Sequence, residues 1–421
     1  MLRFAPSTIY DMDVGSLRIA LLNYIVAKQT NNDLLIRIED IDSQSGKDGK
    51  DKEILEILNL FSIDYSRVSA QSENLKYYQK FAMQLLTQKK AFNCFCSDEA
   101  LEKDNQKAKE ENKPYSYSGF CENLSDDTVL NVNAPFRVRI KKPTNPIVVR
   151  DLLKGELSYT PLEVDSFVIL NQNKSATYNF ACAIDDMLFD ISTVVRGENH
   201  LDDTPKQRYI RELLGYNKEL EYIHIPIVKN HLSVKLLLDQ GYLPIAIANY
   251  LVGLGYDTPK DIFTIEDAIS WYDINKISKE PVEFDIKKLN YLNKEYLKSM
   301  DELRLSKILG YADKDIGLLA KIYLDESSTT KQIKEKIDAI FSTKETLDGF
   351  ENEFKLLKEC LEKAPFIDSF DNLKKHIIKE TGLSDEKLSV PLRFILTGST
   401  IGPELSEVYP LIKNYLGEII C

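Results

Sequence analysis

The apolar positions at the start of the chain follow a strand–helix–strand pattern. Residues 2–5 form a short apolar run that ends at Pro6, which favours a buried strand and its exit. Apolar residues then recur at helical spacing over residues 17–25, and residues 34–38 form a second apolar run. This order predicts a β-α-β unit whose first strand-to-helix crossing lies at residues 13–16. A helix N-terminus at such a crossing presents N–H groups and a positive dipole to an anion, usually phosphate.

The remaining pattern divides the chain into an alternating front and a helical rear. Amphipathic helices are predicted around residues 54–60 and 74–90, and strands are predicted at residues 136–140, 166–170 and 192–196. From about residue 240 the apolar spacing is helical to the end. The sequence therefore predicts an α/β Rossmann-like domain with an inserted α+β lobe, followed by an all-α C-terminal domain.

Composition and charge narrow the class of protein. A hydrophobic fraction of 43% and a charged fraction of 29% are typical of a soluble globular chain. No apolar run is long enough to predict a transmembrane helix, and the start lacks a charged-then-apolar signal segment, so a cytoplasmic location is expected. The net charge of −12 argues against broad nonspecific nucleic-acid binding but leaves RNA recognition by a local basic face open. The six cysteines are expected to be reduced.

Two motifs flank the first crossing: Arg-Phe-Ala-Pro-Ser at residues 3–7 and Arg-Ile-Glu-Asp at residues 37–40. In register and order they resemble the amino-terminal signature of the glutamyl-tRNA synthetases, which are class I aminoacyl-tRNA synthetases. Between them, residues 8–10 read Thr-Ile-Tyr in place of the family's Pro-Thr-Gly, and Asp13 replaces the first histidine of its His-Ile-Gly signature. Other segments that match in family order lie at residues 177–181, 184–186, 195–200, 204–207, 224–226, 241–244, 249–251, 284–293, 391–398 and 402–403.

The resemblance spans nearly the whole chain and implies a two-step reaction. ATP, bound with Mg²⁺, activates glutamate to glutamyl-adenylate, and the glutamyl group is transferred to the 3′ end of a tRNA of the Glu or the Gln type. Expected partners are tRNA, glutamate and ATP, with no membrane, and a monomer is expected. The implied divisions are two catalytic halves (1–71 and 163–240), an inserted lobe that binds the tRNA acceptor (72–162), a helical stem-contact region (241–310) and a helical anticodon-binding domain (311–421).

The resemblance carries over most of the family's glutamate contacts. It places Arg3 and Arg196 on the side-chain carboxylate, which an arginine fork binds through two parallel hydrogen bonds. It places Glu39 on the amino group of the substrate. A structural pair between Arg3 and Glu39 inside the sheet is the alternative. Supporting positions fall on Ser7, Tyr178 and Cys182, the last of which replaces the usual asparagine.

The first phosphate-binding signature is degenerate. It retains Gly15 and ends in Ser16, whose hydroxyl can donate to phosphate, but Asp13 would set a negative charge against the triphosphate of ATP. Aspartate is, by contrast, a favoured N-cap, because it accepts from the N–H groups that phosphate would use. A capped helix start is therefore the preferred interpretation of Asp13.

The second signature, Lys-Met-Ser-Lys in the family, has no clear equivalent. Residues 231–235 can be laid over it, but residues 233–238 fit better as the helix that follows, which means that the lysine loop is deleted. Lys229 and Lys235 are the local substitutes for ATP binding, with solvated surface lysines as the alternative. Losing both signatures would cost on the order of 10⁴ to 10⁶ in rate if the effects added. The sequence thus leaves two hypotheses: a working ligase, or a catalytically impaired paralogue that binds tRNA or has a regulatory role.

Three cysteines in the inserted lobe resemble part of a zinc site. Some family members bind Zn²⁺ there through Cys-x-Cys and a later Cys-x-His or Cys-x-Cys, and this chain offers Cys94, Cys96 and Cys121. Asn123 stands at the fourth position, and Glu122 is a less favourable substitute, whereas structural zinc takes four ligands. Free thiols are therefore expected rather than bound zinc.

Overall fold

The computed structural model describes residues 1–41, 49–113, 115–230 and 232–420. They divide into two compact units, which comprise Met1–Val234 with Leu251–Thr258 and Thr264–Phe284, and Lys235–Tyr250 with Pro259–Phe263 and Asp285–Cys421. His231, where the overlay on the second signature begins, lies outside the described residues. Within those residues, no helix is long and apolar enough to cross a membrane.

The strands are β1 (Leu2–Phe4), β2 (Leu34–Ile38), β3 (Arg67–Ala70), β4 (Ala91–Cys94), β5 (Arg137–Ile140), β6 (Ile147–Asp151), β7 (Gly155–Tyr159), β8 (Val168–Leu170), β9 (Thr193–Gly197), β10 (Glu221–Ile225), β11 (Val228–Lys229) and β12 (Val282–Glu283).

The α-helices are α1 (Val14–Gln29), α2 (Lys50–Leu60), α3 (Leu75–Thr87), α4 (Asp98–Glu110), α5 (Asp126–Asn131), α6 (Pro161–Val164), α7 (Tyr178–Leu188), α8 (Thr204–Leu213), α9 (Val234–Asp239), α10 (Pro244–Gly253), α11 (Ile265–Trp271), α12 (Ile286–Ser299), α13 (Glu302–Ile308), α14 (Lys314–Ile322), α15 (Thr330–Phe341), α16 (Glu351–Lys363), α17 (Phe370–Thr381), α18 (Asp385–Thr397), α19 (Leu405–Ile412) and α20 (Leu416–Ile419).

A seven-stranded sheet in the order β3-β2-β1-β9-β10-β6-β7 organises the first unit. The strands from β3 to β6 pair in parallel, and β7 runs antiparallel to β6. The predicted β-α-β unit is confirmed, since β1 pairs in parallel with β2 in the register Leu2↔Leu34. Because the carboxyl ends of parallel strands lie at one edge of a sheet, residues distant in sequence meet there.

Helix α1 forms where its apolar residues can be buried. Leu17, Leu21 and Ile25 are fully buried, and Tyr24 is nearly so. The side chain of Asp13 caps the first turn, as the sequence predicted, and fixes the start of the helix.

The inserted segment contributes to two sheets. β4, β5 and β8 form a separate antiparallel sheet, which includes the strands predicted at 136–140 and 166–170. β6 and β7 instead extend the central sheet, with Tyr222 of β10 paired to Asp151 of β6. Alternate residues of β6 are buried, and Val149 packs with Leu35 and Val194 in the core.

The second unit is helical, which confirms the predicted all-α rear. Its core is a continuous cluster of buried aliphatic and aromatic side chains from α12 through α20, including Leu319, Ile337, Leu357 and Leu396. The short strand β12, beyond residue 240, departs from the helical prediction and pairs with β11 in the first unit. Two residues of alternating pattern are too few to signal a strand.

Candidate active site

A cavity of about 660 Å³ opens at the carboxyl ends of β1, β9 and β10. It is lined by most of the residues that the sequence singled out, which are Arg3, Ser7, Asp13, Gly15, Ser16, Glu39, Tyr178 and Arg196. The fold therefore brings both candidate half-sites, for the amino acid and for phosphate, to one cavity of the first unit.

Arg196 is a buried cation held by neutral groups. Its Nε donates to Nε2 of His224 at 3.0 Å, its Nη1 to Oε1 of Gln207 at 2.9 Å, and its Nη2 to Oγ1 of Thr204 at 2.6 Å. The residue is 5% exposed, and it forms no ion pair with any carboxylate of the described chain. The positive charge is therefore available to an anionic ligand in the cavity.

His224 is in turn held by Asp151. The two side chains lie 2.7 Å apart between Nδ1 and Oδ2, and the backbone N–H of His224 donates to the same oxygen at 3.0 Å. Burial lowers the pKa of His224, and the neighbouring charge of Arg196 lowers it further, although Asp151 opposes both. His224 is thus neutral near pH 7 and accepts from Arg196.

Arg3 and Glu39 do not pair with each other, which corrects the structural alternative for these two residues. The Nε of Arg3 donates to Asp186 at 3.3 Å, and Nη1 of Arg37 donates to the same oxygen at 2.6 Å. Nη2 of Arg37 also donates to Glu39 at 3.2 Å. Burial favours the neutral acid, but Arg37 and Arg3 hold the pKa of Asp186 below its usual value. This buried network fixes two of the proposed glutamate contacts.

The supporting residues complete this side of the cavity. The Tyr178 hydroxyl lies 3.2 Å from Nδ1 of His200, and its ring packs beside that imidazole. The thiol of Cys182 donates to Glu39 at 3.4 Å, and burial raises its pKa, with the charge of Glu39 adding to the effect. Ser7 is exposed at the rim, where its hydroxyl accepts from the N–H of Ile9 at 3.3 Å.

On the side of the cavity where phosphate is expected, the side chain of Asp13 occupies the N-terminus of α1. Its Oδ1 accepts from the backbone N–H of Ser16 at 2.7 Å. A methyl group added to Gly15 would meet that carboxylate at 3.5 Å, an ordinary contact. The N–H that would hold a phosphate is therefore engaged by a side chain of the protein itself.

Neither candidate lysine is among the residues that line the cavity. Lys229 is exposed on β11, with its Nζ 3.7 Å from Glu283, and Lys235 is exposed on α9. Among the residues that the structure describes, no lysine lines the cavity. Helix α9 begins at Val234, so residues 234–238 lie in the helix that the sequence predicted after the signature, and four residues separate it from β11. The deletion of the lysine loop stays a prediction.

The three cysteines of the inserted lobe converge as the sequence suggested. Their sulfur atoms lie within 4.8 Å of one another, and those of Cys96 and Cys121 are 3.6 Å apart. The hydroxyl of Tyr117 lies 3.5 Å from the sulfur atoms of both Cys94 and Cys96. Asn123 is exposed, so the structure offers a phenol oxygen where the sequence pointed to an amide.

The motifs assign no role to several residues that shape the site. His224, Asp186 and Arg37 fell inside recognised segments, and Asp151 and Tyr117 had not been noted. A buried strand that ends in a carboxylate, as β6 does, was a usable signal for Asp151. Its histidine partner, on a strand 73 residues later, could be found only from the fold.

Comparison with known proteins identifies the family of the chain. Residues 1–291 match the family described as tRNA synthetases class I (E and Q), catalytic domain, and the chain belongs to this family. Over its full length it is 50% identical to a protein named glutamate–tRNA ligase 2 of Sulfurimonas denitrificans, all of which is covered. It is 48% identical to glutamate–tRNA ligase 1 of Campylobacter jejuni, with 100% of this chain and 99% of that protein covered.

A solved structure gives the fold independently. A glutamate tRNA ligase from Elizabethkingia meningosepticum, in complex with its amino acid, superposes with a TM-score of 0.80 at 23% identity, covering 100% of this chain and 98% of that one. The alignment with the Sulfurimonas protein runs over 431 positions, whereas this chain has 421 residues. That relative therefore carries residues that this chain lacks.

Proposed function

We propose that the protein is a glutamate–tRNA ligase, which activates glutamate with ATP and Mg²⁺ and transfers it to the 3′ end of a tRNA of the Glu or Gln type. The observation that carries the proposal is Arg196, a buried cation with neutral partners beside the cavity. A glutamate side chain supplies the missing carboxylate, and the relatives named glutamate–tRNA ligase support the assignment along the whole chain.

The reaction asks the protein to position its reactants rather than to supply a nucleophile. Arg3 and Arg196 would hold the side-chain carboxylate, and Glu39 would accept from the amino group, so that the α-carboxylate meets the α-phosphate of ATP. Orientation of this kind contributes several kcal/mol in well-ordered sites, about 7–11 in the most favourable cases. The inserted lobe and the helical rear, at the boundaries predicted above, would contact the acceptor and the anticodon of the tRNA.

A catalytically impaired paralogue that binds tRNA or regulates its use is the second candidate. Asp13 favours it, because this carboxylate engages the Ser16 N–H and repels a triphosphate. The four-residue link between β11 and α9 favours it as well. A lysine loop would stabilise the negative charge that develops on the transferring phosphates, and a chain without the loop would lack that contribution.

Glutamate-dependent exchange of pyrophosphate into ATP and charging of total tRNA with radiolabelled glutamate separate the two candidates. Arg196→Met should abolish both activities, whereas Arg150→Met, an exposed arginine paired with Glu156 on β7, should retain them. Exchange and charging that depend on Arg196 support the ligase. Retention of tRNA on a filter without either activity, in protein that still binds glutamate, supports the paralogue.

We further propose that Cys94, Cys96, Cys121 and Tyr117 can hold Zn²⁺ in the inserted lobe. Three sulfur atoms and one phenol oxygen supply four donors, and the 3.6 Å separation of two sulfurs suits a tetrahedral site. Burial raises the pKa of the Cys96 thiol to about 11. Zinc would supply the positive charge that such a thiolate needs.

A further inference from the structure

We propose that Asp151 and His224 are positioning residues that hold the Arg196 guanidinium in the orientation that binds the side-chain carboxylate of glutamate. Neither residue lies among the glutamate contacts assigned above. The inference rests on the proposed function, because it takes Arg196 as the carboxylate contact.

Counting donors shows what the arrangement leaves for a ligand. A guanidinium has five N–H groups. His224, Gln207 and Thr204 each take one, on Nε, Nη1 and Nη2 of Arg196. One N–H remains on each terminal nitrogen, and a carboxylate can bind two N–H groups of a guanidinium through parallel hydrogen bonds. Since the three partners are neutral, the full charge also remains for the ligand.

The arrangement works with only one form of the histidine. His224 can accept from Nε of Arg196 only while its Nε2 carries no proton. Asp151 selects that form, because its Oδ2 lies 2.7 Å from Nδ1 and accepts the single ring proton there. A second bond to Oδ2, from the backbone N–H of His224, holds the carboxylate in place. Asp151 thus acts on the substrate through two intervening side chains.

The same contacts make glutamate affinity depend on pH. The charged and titratable groups that face His224 are Asp151 on β6, Arg196 on β9 and Arg3 on β1, and the ring of Tyr222 stacks on it within β10. A protonated His224 would set a second cation 3.0 Å from Nε of Arg196 and remove its acceptor. The side-chain carboxylate of glutamate stays mostly charged above about pH 4.3. A loss of glutamate affinity above that pH would therefore arise from the protein and not from the ligand.

The test is calorimetric titration of the full-length protein with glutamate, from about pH 7.5 to about pH 5, across the range in which histidine titrates. His224→Gln supplies an amide oxygen in place of Nε2 and does not titrate, so we expect affinity within about threefold of wild type at neutral pH and a flat profile. His224→Ala and Asp151→Asn should weaken binding on the order of 10-fold, the first by removing the acceptor and the second by releasing the wrong tautomer. His376→Gln, on α17 of the second unit, is the matched control and should follow the wild-type profile.

The outcomes separate this inference from the proposed function. Wild-type affinity in His224→Ala, or a parallel acid loss in wild type and His224→Gln, would overturn the positioning role while leaving glutamate binding intact. A folded wild-type protein that binds no glutamate at any pH would overturn the proposed function and this inference together. If His224→Ala does not fold, as judged by circular dichroism, the profile of His224→Gln against wild type decides alone.

Discussion

The backbone N–H of Ser16 donates to the carboxylate of Asp13 at 2.7 Å, at the point where a bound phosphate would be held. The start of α1 therefore carries its own anion. A phosphate that approaches this turn must displace the cap or use other donors, and the negative charge of Asp13 opposes it at close range. Helix stability and nucleotide affinity are thus in competition at one residue.

Removing the cap should destabilise the first unit. We expect Asp13→Ala to lower the free energy of unfolding by about 1 kcal/mol, the usual value of an N-cap side chain. Asp13→Asn keeps a capping oxygen and should fall within about 0.3 kcal/mol of wild type. Urea unfolding followed by circular dichroism measures both. Equal stability of the alanine variant would show that the hydrogen bond to Ser16 does not hold the helix.

Restoring the signature histidine should raise the activity of the protein, but not to the level of a typical ligase. Asp13→His supplies a donor to the triphosphate, worth about 100- to 1000-fold in rate where such donors have been removed elsewhere. The lysine loop would still be missing, so the pyrophosphate exchange rate should stay well below a typical turnover of about 10 per second. Full recovery by this one substitution would refute the deletion of the second signature. A variant that also carries a Lys-Met-Ser-Lys loop between Lys229 and Val234 is the natural comparison.

Asp185 should make the stability of the first unit rise as the pH falls. Gln71, Asn74 and Tyr78 donate to its buried carboxylate, yet burial raises its pKa from 3.8 to about 6. The folded protein therefore binds this proton more tightly than the unfolded chain does. The free energy of unfolding rises as the pH falls through about 6. The rise is complete below about pH 3.8 and amounts to on the order of 2–3 kcal/mol.

The measurement for Asp185 is a difference between variants. Thermal unfolding of wild type and Asp185→Asn over this pH range removes contributions that both proteins share. The stability difference between them should change in favour of wild type on acidification. A difference that stays constant with pH would mean that the carboxyl has an ordinary pKa.

Zinc in the inserted lobe can be tested by metal analysis of the purified protein. We expect close to one equivalent of zinc in wild type and a loss of at least half in Cys121→Ser, since structural sites need all four donors. Tyr117→Phe removes the phenol oxygen but keeps the ring that packs on Phe92. Full zinc content in Tyr117→Phe would remove Tyr117 from the ligand set, and no zinc in wild type would indicate a cluster of free thiols.

The local apolar pattern predicted the elements of the first forty residues but not the strand pairing of the inserted segment. β1 and β2 are short, largely apolar runs, Pro6 follows soon after β1, and α1 carries apolar residues at helical spacing. All three elements formed where the sequence predicted. The contribution of β6 and β7 to the central sheet was not foreseen, because it rests on pairing between Asp151 and Tyr222 across 71 positions of the chain. Spacing along a chain indicates a strand but not its neighbours.

The same limit applies to the site. The resemblance assigns Arg3, Glu39, Tyr178 and Arg196 to one ligand, and all four line one cavity in the structure. The partners of these residues could not be predicted from the motifs. Arg3, for example, donates to Asp186, which lies 183 residues later in the chain. These partners come together through the order of the strands and the placement of α7 and α8, which the motifs do not encode.

The buried Arg196 would link the stability of the protein to the concentration of its proposed ligand, glutamate. Arg196 is buried and has no ion-pair partner among the described residues, which costs folding free energy. Glutamate bound as proposed would provide the counterion and raise the free energy of unfolding by RT ln(1 + [L]/Kd). At a glutamate concentration of about 100 Kd this amounts to about 2.7 kcal/mol. Bound glutamate would accordingly make the folded chain more resistant to proteolysis, whether or not an adenylate is formed in the cavity.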